Sequence, residues 1–391
     1  MSHPLLKSLW SVIGLVVLIS APSALAQALP APPEVAARSY LLMDLSSDQI
    51  LAERDADQRV DPASLTKLMT AWLVFDALRQ GKLTLSQGLP VSVRAWAERK
   101  GGGSLMFIDP KMTPSVDELL RGMVAVSGND AAVALAEGVA GSVDGFVAAM
   151  NRQAQAWGLK NSQFRNVTGL TESGHYSSAR DMLTIASRVI RDFPDQYATY
   201  YAIRQYTFNG IRQDNRNMLL GRDPTVDGMK TGFTEAAGYC LVASAKRDFP
   251  NGSRRLLSVV LGTASREARA AESGKLLNWG FTAWDMVRIL DPGKPVVTAP
   301  VWKGIQAQAR LGVSTPLVAT VPQGQGDKLR TVVERTDPLV APLTKGQRVG
   351  TVKLSTTAGA QVASAPLVVL ETVEQAGILG RAWDSLRLWI Q

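Results

Sequence analysis

The chain has 391 residues, 19% of them charged and 46% hydrophobic, with a formal net charge of +8, one Cys and two His. At roughly 100–200 residues per domain, this length implies two or three domains with a sizeable core, and the composition is that of a globular protein, not a disordered or multispan one. The lone Cys240 excludes an internal disulfide framework and a Cys-cluster zinc site, and His3 and His175 leave little for a His-based metal site or for a Ser-His-Asp mechanism.

Met1 to Lys7 carries one positive charge and no acid, Leu9 to Ile19 is nearly continuous apolar chain, and Ala24-Leu25-Ala26 offers a small-x-small pattern. This predicts a secretory signal peptide over residues 1–26, cleaved after Ala26. The apolar run is short for a bilayer-spanning helix, which needs ~20 residues. Removing residues 1–26 takes away His3 and Lys7, so His175 becomes the only histidine and the charge falls from +8 to +7. Export points to a periplasm or an extracellular space, where a single thiol forms no internal bridge. The positive balance suits an anionic surface. No Lys/Arg run with interleaved aromatics is present, so no nucleic-acid partner is expected.

Residues 27–38 are Pro/Ala-rich and predict an extended leader. Ser39–Asp44 and Gln49–Arg54 read as short strands around a Ser46-Ser47-Asp48 turn. After Asp61-Pro62-Ala63, the apolar spacing of Leu65, Leu68, Met69, Ala71, Trp72 and Phe75 predicts a helix. Asp117 to about Ala136 reads as helix interrupted near Ser127-Gly128-Asn129. Val143–Trp157 and Ser178–Val189 are further helices. Tyr239–Ala245 and Leu256–Leu261 read as strands, and Arg266–Val287 as a helix. The result is a mixed α/β domain over residues 39–290. Asp291-Pro292-Gly293 marks a boundary. Short alternating runs follow over 291–372, at Ala307–Leu311, Leu317–Val321, Thr331–Glu334, Val349–Leu354 and Leu367–Leu370, the pattern of a small all-β sandwich. Residues 373–391 predict an amphipathic helix, with apolar residues at 378, 379, 382, 383, 386, 389 and 390 on one arc and Leu388 out of place. Trp383 and Trp389 beside the apolar face suit an interfacial, membrane-anchoring helix, and the alternative is a helix packed back on its own domain.

Three short motifs carry chemistry. Ser64-Leu65-Thr66-Lys67 opens a predicted helix, and a spacing of three puts both side chains on one face, about a turn apart. A serine needs an adjacent base, and Lys67 is the candidate once burial or a second cation lowers its pKa. Ser64 at a helix N-terminus also places backbone N–H groups near a developing oxyanion. Ser127-Gly128-Asn129 offers a proton relay at Ser127 and an amide donor and acceptor at Asn129. Lys230-Thr231-Gly232, entering the Tyr239–Ala245 strand, offers a cation and a hydroxyl for a carboxylate, with Gly232 admitting the substrate backbone. Each motif alone is weak. An S-x-x-K also reads as a capping serine beside an exposed lysine, S-x-N as a plain turn, and K-T-G as a strand-edge lysine.

S-x-x-K, S-x-N and K-T-G in this order are the signature set of the penicillin-recognising serine enzymes. With Asp61 to Thr70, Tyr176 to Met182, Thr207 to Gln213 and Val226 to Gly232, the chain resembles the low-molecular-mass penicillin-binding proteins of the D-alanyl-D-alanine carboxypeptidase type, from about Ala37 to the C-terminus. The resemblance implies a penicilloyl serine transferase (β-lactamase-like) α/β domain, then a small all-β domain and an anchoring helix. It implies that Ser64 attacks the bond between the terminal D-alanines of a peptidoglycan stem peptide, forming an acyl-enzyme that water hydrolyses. Lys67 would be the base and Ser127 the relay to the leaving amine. Asn129 would hold the peptide amide, Lys230, Thr231 and Gly232 would receive the terminal carboxylate end, and Arg269 would be a further carboxylate-binding residue. The backbone N–H groups of Ser64 and Phe233 would form the oxyanion hole. No cofactor or metal is implied. β-Lactams would acylate Ser64. The expected place is the periplasm, attached peripherally to the outer face of the inner membrane.

Phe233 and Thr168 stand where relatives often carry His, and Asp192 with Arg216 resembles a pair that pins a loop near the site. Lys100 to Ser104 is expected as a loop near the cleft. Cys240 reads as a buried small apolar residue. His175 lies in a polar loop, an unpromising place for a triad member. The competing readings are a class A-like β-lactamase, with Glu172 the nearest candidate to activate water, a D,D-endopeptidase, and a non-catalytic cell-wall scaffold.

Overall fold

The computed structural model describes residues 29–390 except Asn251 and Ala358, with the backbone alone at Ile390. The expected signal peptide over residues 1–26 lies outside the described residues. Residues 29–38 run without helix or strand, and Val35 is buried in a core.

Five antiparallel strands form the main sheet. Their spatial order is Gln49–Arg54, Ser39–Asp44, Gly252–Thr263, Gly238–Phe249 and Val226–Thr234. The central strands are covered on both faces, which explains the unbroken apolar run Leu256–Leu261 in place of alternation. Helix Arg266–Thr282 covers one face, where Leu276, Leu277 and Phe281 meet Leu42, Leu241 and Val260. A helical lobe covers the other: Lys67–Arg79, Val116–Ala125, Asn129–Ala140, Val143–Ala156 and Ala179–Asp192. Lys67–Arg79 runs through its middle, buried nearly all round, so its apolar residues show little one-sidedness. Serines open the neighbouring helices. Ser115 and Glu118 form a reciprocal capping box, and Ser142, Ser178 and Ser265 each accept an N–H from the first turn.

The expected helix Arg266–Val287 is too long at its C-terminal end. It stops at Thr282, and Trp284–Leu290 is a strand paired with Leu317–Pro322. No Gly or Pro marks that stop, and Trp284, Met286 and Val287 suit either state, so the strand partner decides. The Lys230 motif also lies in a strand of its own, Val226–Thr234, joined to Gly238–Phe249 by a tight turn.

The β-rich part has a six-stranded sheet ordered Leu329–Arg335, Arg348–Thr356, Gln361–Val369, Gln308–Gly312, Pro295–Trp302, Leu339–Val340. Leu311, Val313, Val352, Leu354 and Leu367 form its core with Ala319 of the two-stranded sheet. A buried polar knot joins it to the main sheet. Arg254, 1% exposed, donates to Asp44 at 2.6 Å and to the Trp284 carbonyl at 2.8 Å, and the Thr320 hydroxyl donates to the same Asp44 carboxylate at 2.6 Å.

The last helix is Ile378–Ile390, later than the expected start at 373. Val373 belongs to the β core and bonds to Leu343, and the Ala376 N–H donates to the Lys303 carbonyl. The polar side of this helix faces the β sheet. Asp384 accepts from the Lys303 N–H at 2.6 Å, and the Arg387 guanidinium lies 5.8 Å from the Trp302 ring centroid. Leu388, the residue off the apolar arc, is half-buried on that side. Leu379 and Trp389 are 88% and 86% exposed, and Trp383, 62% exposed, edges the groove between the helix and the sheet. Among the described residues no single helix is long and apolar enough to cross a membrane.

Candidate active site

The three motifs converge where the Lys67 helix, the Asn129 helix and the Lys230 strand meet, around a cleft of about 300 Å3. Ser64 lies in a 3-10 turn, Ala63–Thr66, that feeds the Lys67 helix. Its seat is tightly built. Ala63 has a φ of 49°, in the left-handed region that non-glycine residues rarely occupy. A Cβ at Gly169 would stand 1.8 Å from the Ala63 carbonyl oxygen, and one at Gly232 would stand 3.1 Å from the Ala63 Cβ and 3.3 Å from the Ser64 nitrogen. Gly232 therefore makes room for the nucleophile's own loop, where the sequence reading assigned that room to the substrate backbone.

Lys67 is 2% exposed, and its Nζ has three oxygen neighbours. These are Ser64 Oγ at 2.9 Å, Asn129 Oδ1 at 2.7 Å and the Thr168 carbonyl at 2.7 Å. Asn129 Oδ1 and the Thr168 carbonyl can only accept. A neutral amine satisfies both with its two N–H groups and keeps its lone pair for the Ser64 hydroxyl. Burial pulls the Lys67 ammonium from its ordinary 10.5 to about 7; Glu98 and Asp130 oppose the shift and Arg216 assists it. About half of Lys67 is thus the neutral amine near pH 7.

Ser127, with a φ of 65°, sits at the break between two helices and accepts from Lys230 Nζ at 2.9 Å. Lys230 is buried and also donates to the Thr231 carbonyl at 2.9 Å. Burial, with Lys67, Arg216 and Arg269 nearby, holds the Lys230 ammonium well below the ordinary lysine range. Lys230 therefore stands behind Ser127, and Thr231, Gly232 and Arg269 line the cleft itself. Arg269 is also buried, its guanidinium held by the carbonyls of Gly232 at 3.1 Å and Arg216 at 3.2 Å. Asn129 has given its acceptor to Lys67. Its Nδ2 stands 2.2 Å from where a Gly103 Cβ would be, so the Lys100–Ser104 segment is packed against the site through a glycine. Phe233 is half exposed on the rim and stacks on Tyr239 at 4.2 Å between centroids.

Several residues that build the site carried no visible signal. Asp130 is buried and accepts from the N–H groups of Met106, Phe107, Ile108 and Ala131 at 2.8–3.1 Å, pinning a loop against the Ser127 turn. Asn166 Oδ1 accepts from the N–H groups of Thr168 and Gly169, which shapes the turn that aims the Thr168 carbonyl at Lys67. Thr168 thus meets the site through its backbone, not its side chain.

One expectation is corrected. Asp192 does not pair with Arg216; it accepts from Trp72 Nε1, midway along the Lys67 helix, at 3.0 Å and lies 3.9 Å from Arg188. His175 lies in the polar loop expected of it, with its ring turned inward. It is buried; its Nδ1 accepts from the Arg165 N–H at 3.1 Å, so its Nε2 carries the proton and donates to Thr66 Oγ1 at 2.9 Å. Burial lowers its pKa to about 4. Glu172 accepts from Asn166 Nδ2 at 3.0 Å, and no carboxylate is among the residues lining the cleft. Cys240 is fully buried. Among the described residues no cluster of potential metal ligands occurs.

Comparison with known proteins gives the same region a relative. Residues 26–265 match the D-alanyl-D-alanine carboxypeptidase family, and residues 284–375 match the C-terminal domain of penicillin-binding protein 5. The D-alanyl-D-alanine carboxypeptidase DacC of Escherichia coli is 43% identical over 361 residues, covering 91% of this chain and 89% of that protein. DacA of Haemophilus influenzae is 42% identical over 362 residues, covering 92% and 91%. The crystal structure of penicillin binding protein 5 from Haemophilus influenzae superposes with a TM-score of 0.82 at 42% identity, covering 88% of this chain and 99% of that one.

Proposed function

This chain belongs to the D-alanyl-D-alanine carboxypeptidase family and is a serine-type peptidase of it, and on that premise we propose how its residues carry the reaction and where it works. Ser64 is the nucleophile and neutral Lys67 the base. The observation that carries this reading is the set of three contacts at Lys67 Nζ, two to pure acceptors and one to Ser64 Oγ. As the Ser64 Oγ–carbon bond forms, the hydroxyl proton passes to Lys67 Nζ and the carbonyl oxygen becomes an oxyanion. The N–H groups of Ser64 and Phe233, both on cleft-lining residues, receive that charge. Ser127, accepting from Lys230, keeps its own hydroxyl proton free to donate to the leaving nitrogen as the carbon–nitrogen bond breaks. Ser127 is then recharged from protonated Lys67 or Lys230. D-Alanine leaves with its carboxylate on Thr231 and Arg269. Water hydrolyses the acyl-enzyme.

Asn129 Nδ2 is the donor left for the peptide carbonyl, since Oδ1 serves Lys67. β-Lactams acylate the same serine. With no carboxylate lining the cleft and Glu172 held by Asn166, their hydrolysis lacks a strong base, which favours a lasting adduct over β-lactamase turnover. The substrate is a peptidoglycan stem peptide. The exported start of the sequence supports a periplasmic place. The outward apolar face of the last helix, whose polar side is already bonded to the β sheet, supports attachment to the outer face of the inner membrane.

Digestion of purified stem pentapeptides and cross-linked dimers tests this reading. Release of free D-alanine from the pentapeptide, lost in Ser64→Ala, is expected. Cleavage of dimers in preference to pentapeptides would favour an endopeptidase, and no cleavage of either would leave a scaffold.

A further inference from the structure

Three guanidiniums line one side of the cleft: Arg216, Arg266 and Arg269. Their surroundings differ. Arg269 is buried and tied to two backbone carbonyls. Arg216 and Arg266 are exposed, and among the described residues their side chains make no hydrogen bond or ion pair. Among the described residues no acid lines the cleft to balance the three charges. Burial is the main cause that lowers the Arg216 and Arg269 pKa values, that of Arg269 to about 10, and the neighbouring guanidiniums add to it, Arg266 for both and Arg216 for Arg269.

One terminal carboxylate does not use this much positive charge, because Thr231 and Arg269 already meet it. Arg266 and Arg269 are three residues apart on one face of the first turn of the Arg266–Thr282 helix, so Arg266 lies one turn beyond the carboxylate position. An anion there also meets the positive end of that helix. Resting on the peptidase reading above, we propose that Arg266, with Arg216, forms a subsite for a second anion on the leaving residue, so that the cleft prefers a C-terminal D-residue bearing a side-chain carboxylate. Arg266 is then a specificity-determining residue and takes no part in bond making. Phe233 and Tyr239, stacked on the same rim, wall the subsite and limit its exposure to water.

The test uses three diacetyl-L-lysyl-D-alanyl peptides, ending in D-Glu, D-Gln or D-Ala, with the full-length exported protein. D-Gln is the neutral near-isostere of D-Glu, so their ratio of kcat/KM isolates the charge. A wild-type D-Glu/D-Gln ratio of about three to five is expected, the size of a partly screened ion pair, and it should collapse toward one at 1 M salt. Arg266→Ala should bring the ratio to about one at low salt, and Arg266→Lys should keep most of it. A wild-type ratio at or below one, or a ratio unmoved by Arg266→Ala, overturns the subsite while leaving the peptidase reading intact. Failure to cleave any of the three peptides overturns both.

Discussion

Replacing Lys67 with Arg keeps a cation near Ser64 but removes any accessible neutral form. An amine with its ordinary pKa of 10.5 is neutral in about one molecule in three thousand at pH 7, whereas at about 7 it is neutral in about half. Burial thus multiplies the population of the active base by ~10^3. The rate constant for acylation by a fluorescent penicillin, followed from pH 5 to 9, should rise about tenfold per pH unit below about 7 and level off above it. Lys67→Arg should lower the plateau by about 10^2–10^4, the usual worth of a general base. The neighbours tune the inflection in opposite directions. Glu98 holds the Lys67 value up, so Glu98→Gln should move the inflection toward acid; Arg216 pushes it down, so Arg216→Ala should move it toward alkali. A rate independent of pH from 5.5 to 8.5, or a Lys67→Arg variant keeping a tenth of the rate, would refute Lys67 as the base.

Three other perturbations have expected outcomes. His175 is neutral in the fold down to about pH 4 but takes a proton at about 6.5 when unfolded, so the unfolded state binds more protons between those values and stability falls as pH drops through that window. From pH 7 to 4.5 this costs about 2–3 kcal/mol, and His175→Phe should lose less stability by about that amount in urea titrations; equal losses would contradict the buried neutral ring. Gly232→Ala puts a Cβ 3.1–3.3 Å from Ala63, Pro62 and Ser64. A shift of the serine by a few tenths of an ångström should slow acylation about tenfold or more, while the melting temperature moves little; an unchanged rate would show that the Ser64 seat gives freely. Removing residues 378–391, but not Val373, which belongs to the β core, should release the protein from anionic phospholipid vesicles with penicillin acylation retained. Equal sedimentation of the two forms would mean that the helix is not the anchor.

The legible parts of the sequence were those whose signal is local. Ser39–Asp44 and Gln49–Arg54 are bounded by their own turn residues, and the structure has both strands at those ends. The S-x-x-K, S-x-N and K-T-G motifs name side chains, and the structure brings Ser64, Ser127, Asn129 and Thr231 to one cleft with Lys67 and Lys230 bonded behind them. The illegible parts act through the backbone or at long range. The Thr168 carbonyl is invisible to a reading of residue types, as is the positive φ of Ala63 that sets the Ser64 turn. Asp130 carries no distinguishing mark in the sequence, because the four N–H groups it binds include three from a loop more than twenty residues earlier. Trp284–Val287 reads as the end of a helix because the strand partner, Leu317–Pro322, lies some thirty residues on. The burial of His175 is not legible either, because its neighbours in sequence are polar, whereas its neighbours in space are Thr66, Arg165 and Phe164.

The assignment of Ser64 as the acylated nucleophile is reached most directly by mass spectrometry of the intact protein after incubation with benzylpenicillin, followed by peptide mapping. One added penicilloyl mass, located on the peptide carrying Ser64 and absent from Ser64→Ala, is the predicted result. An adduct on another residue, or a Ser64→Ala variant that is labelled as readily as the wild type, would contradict it.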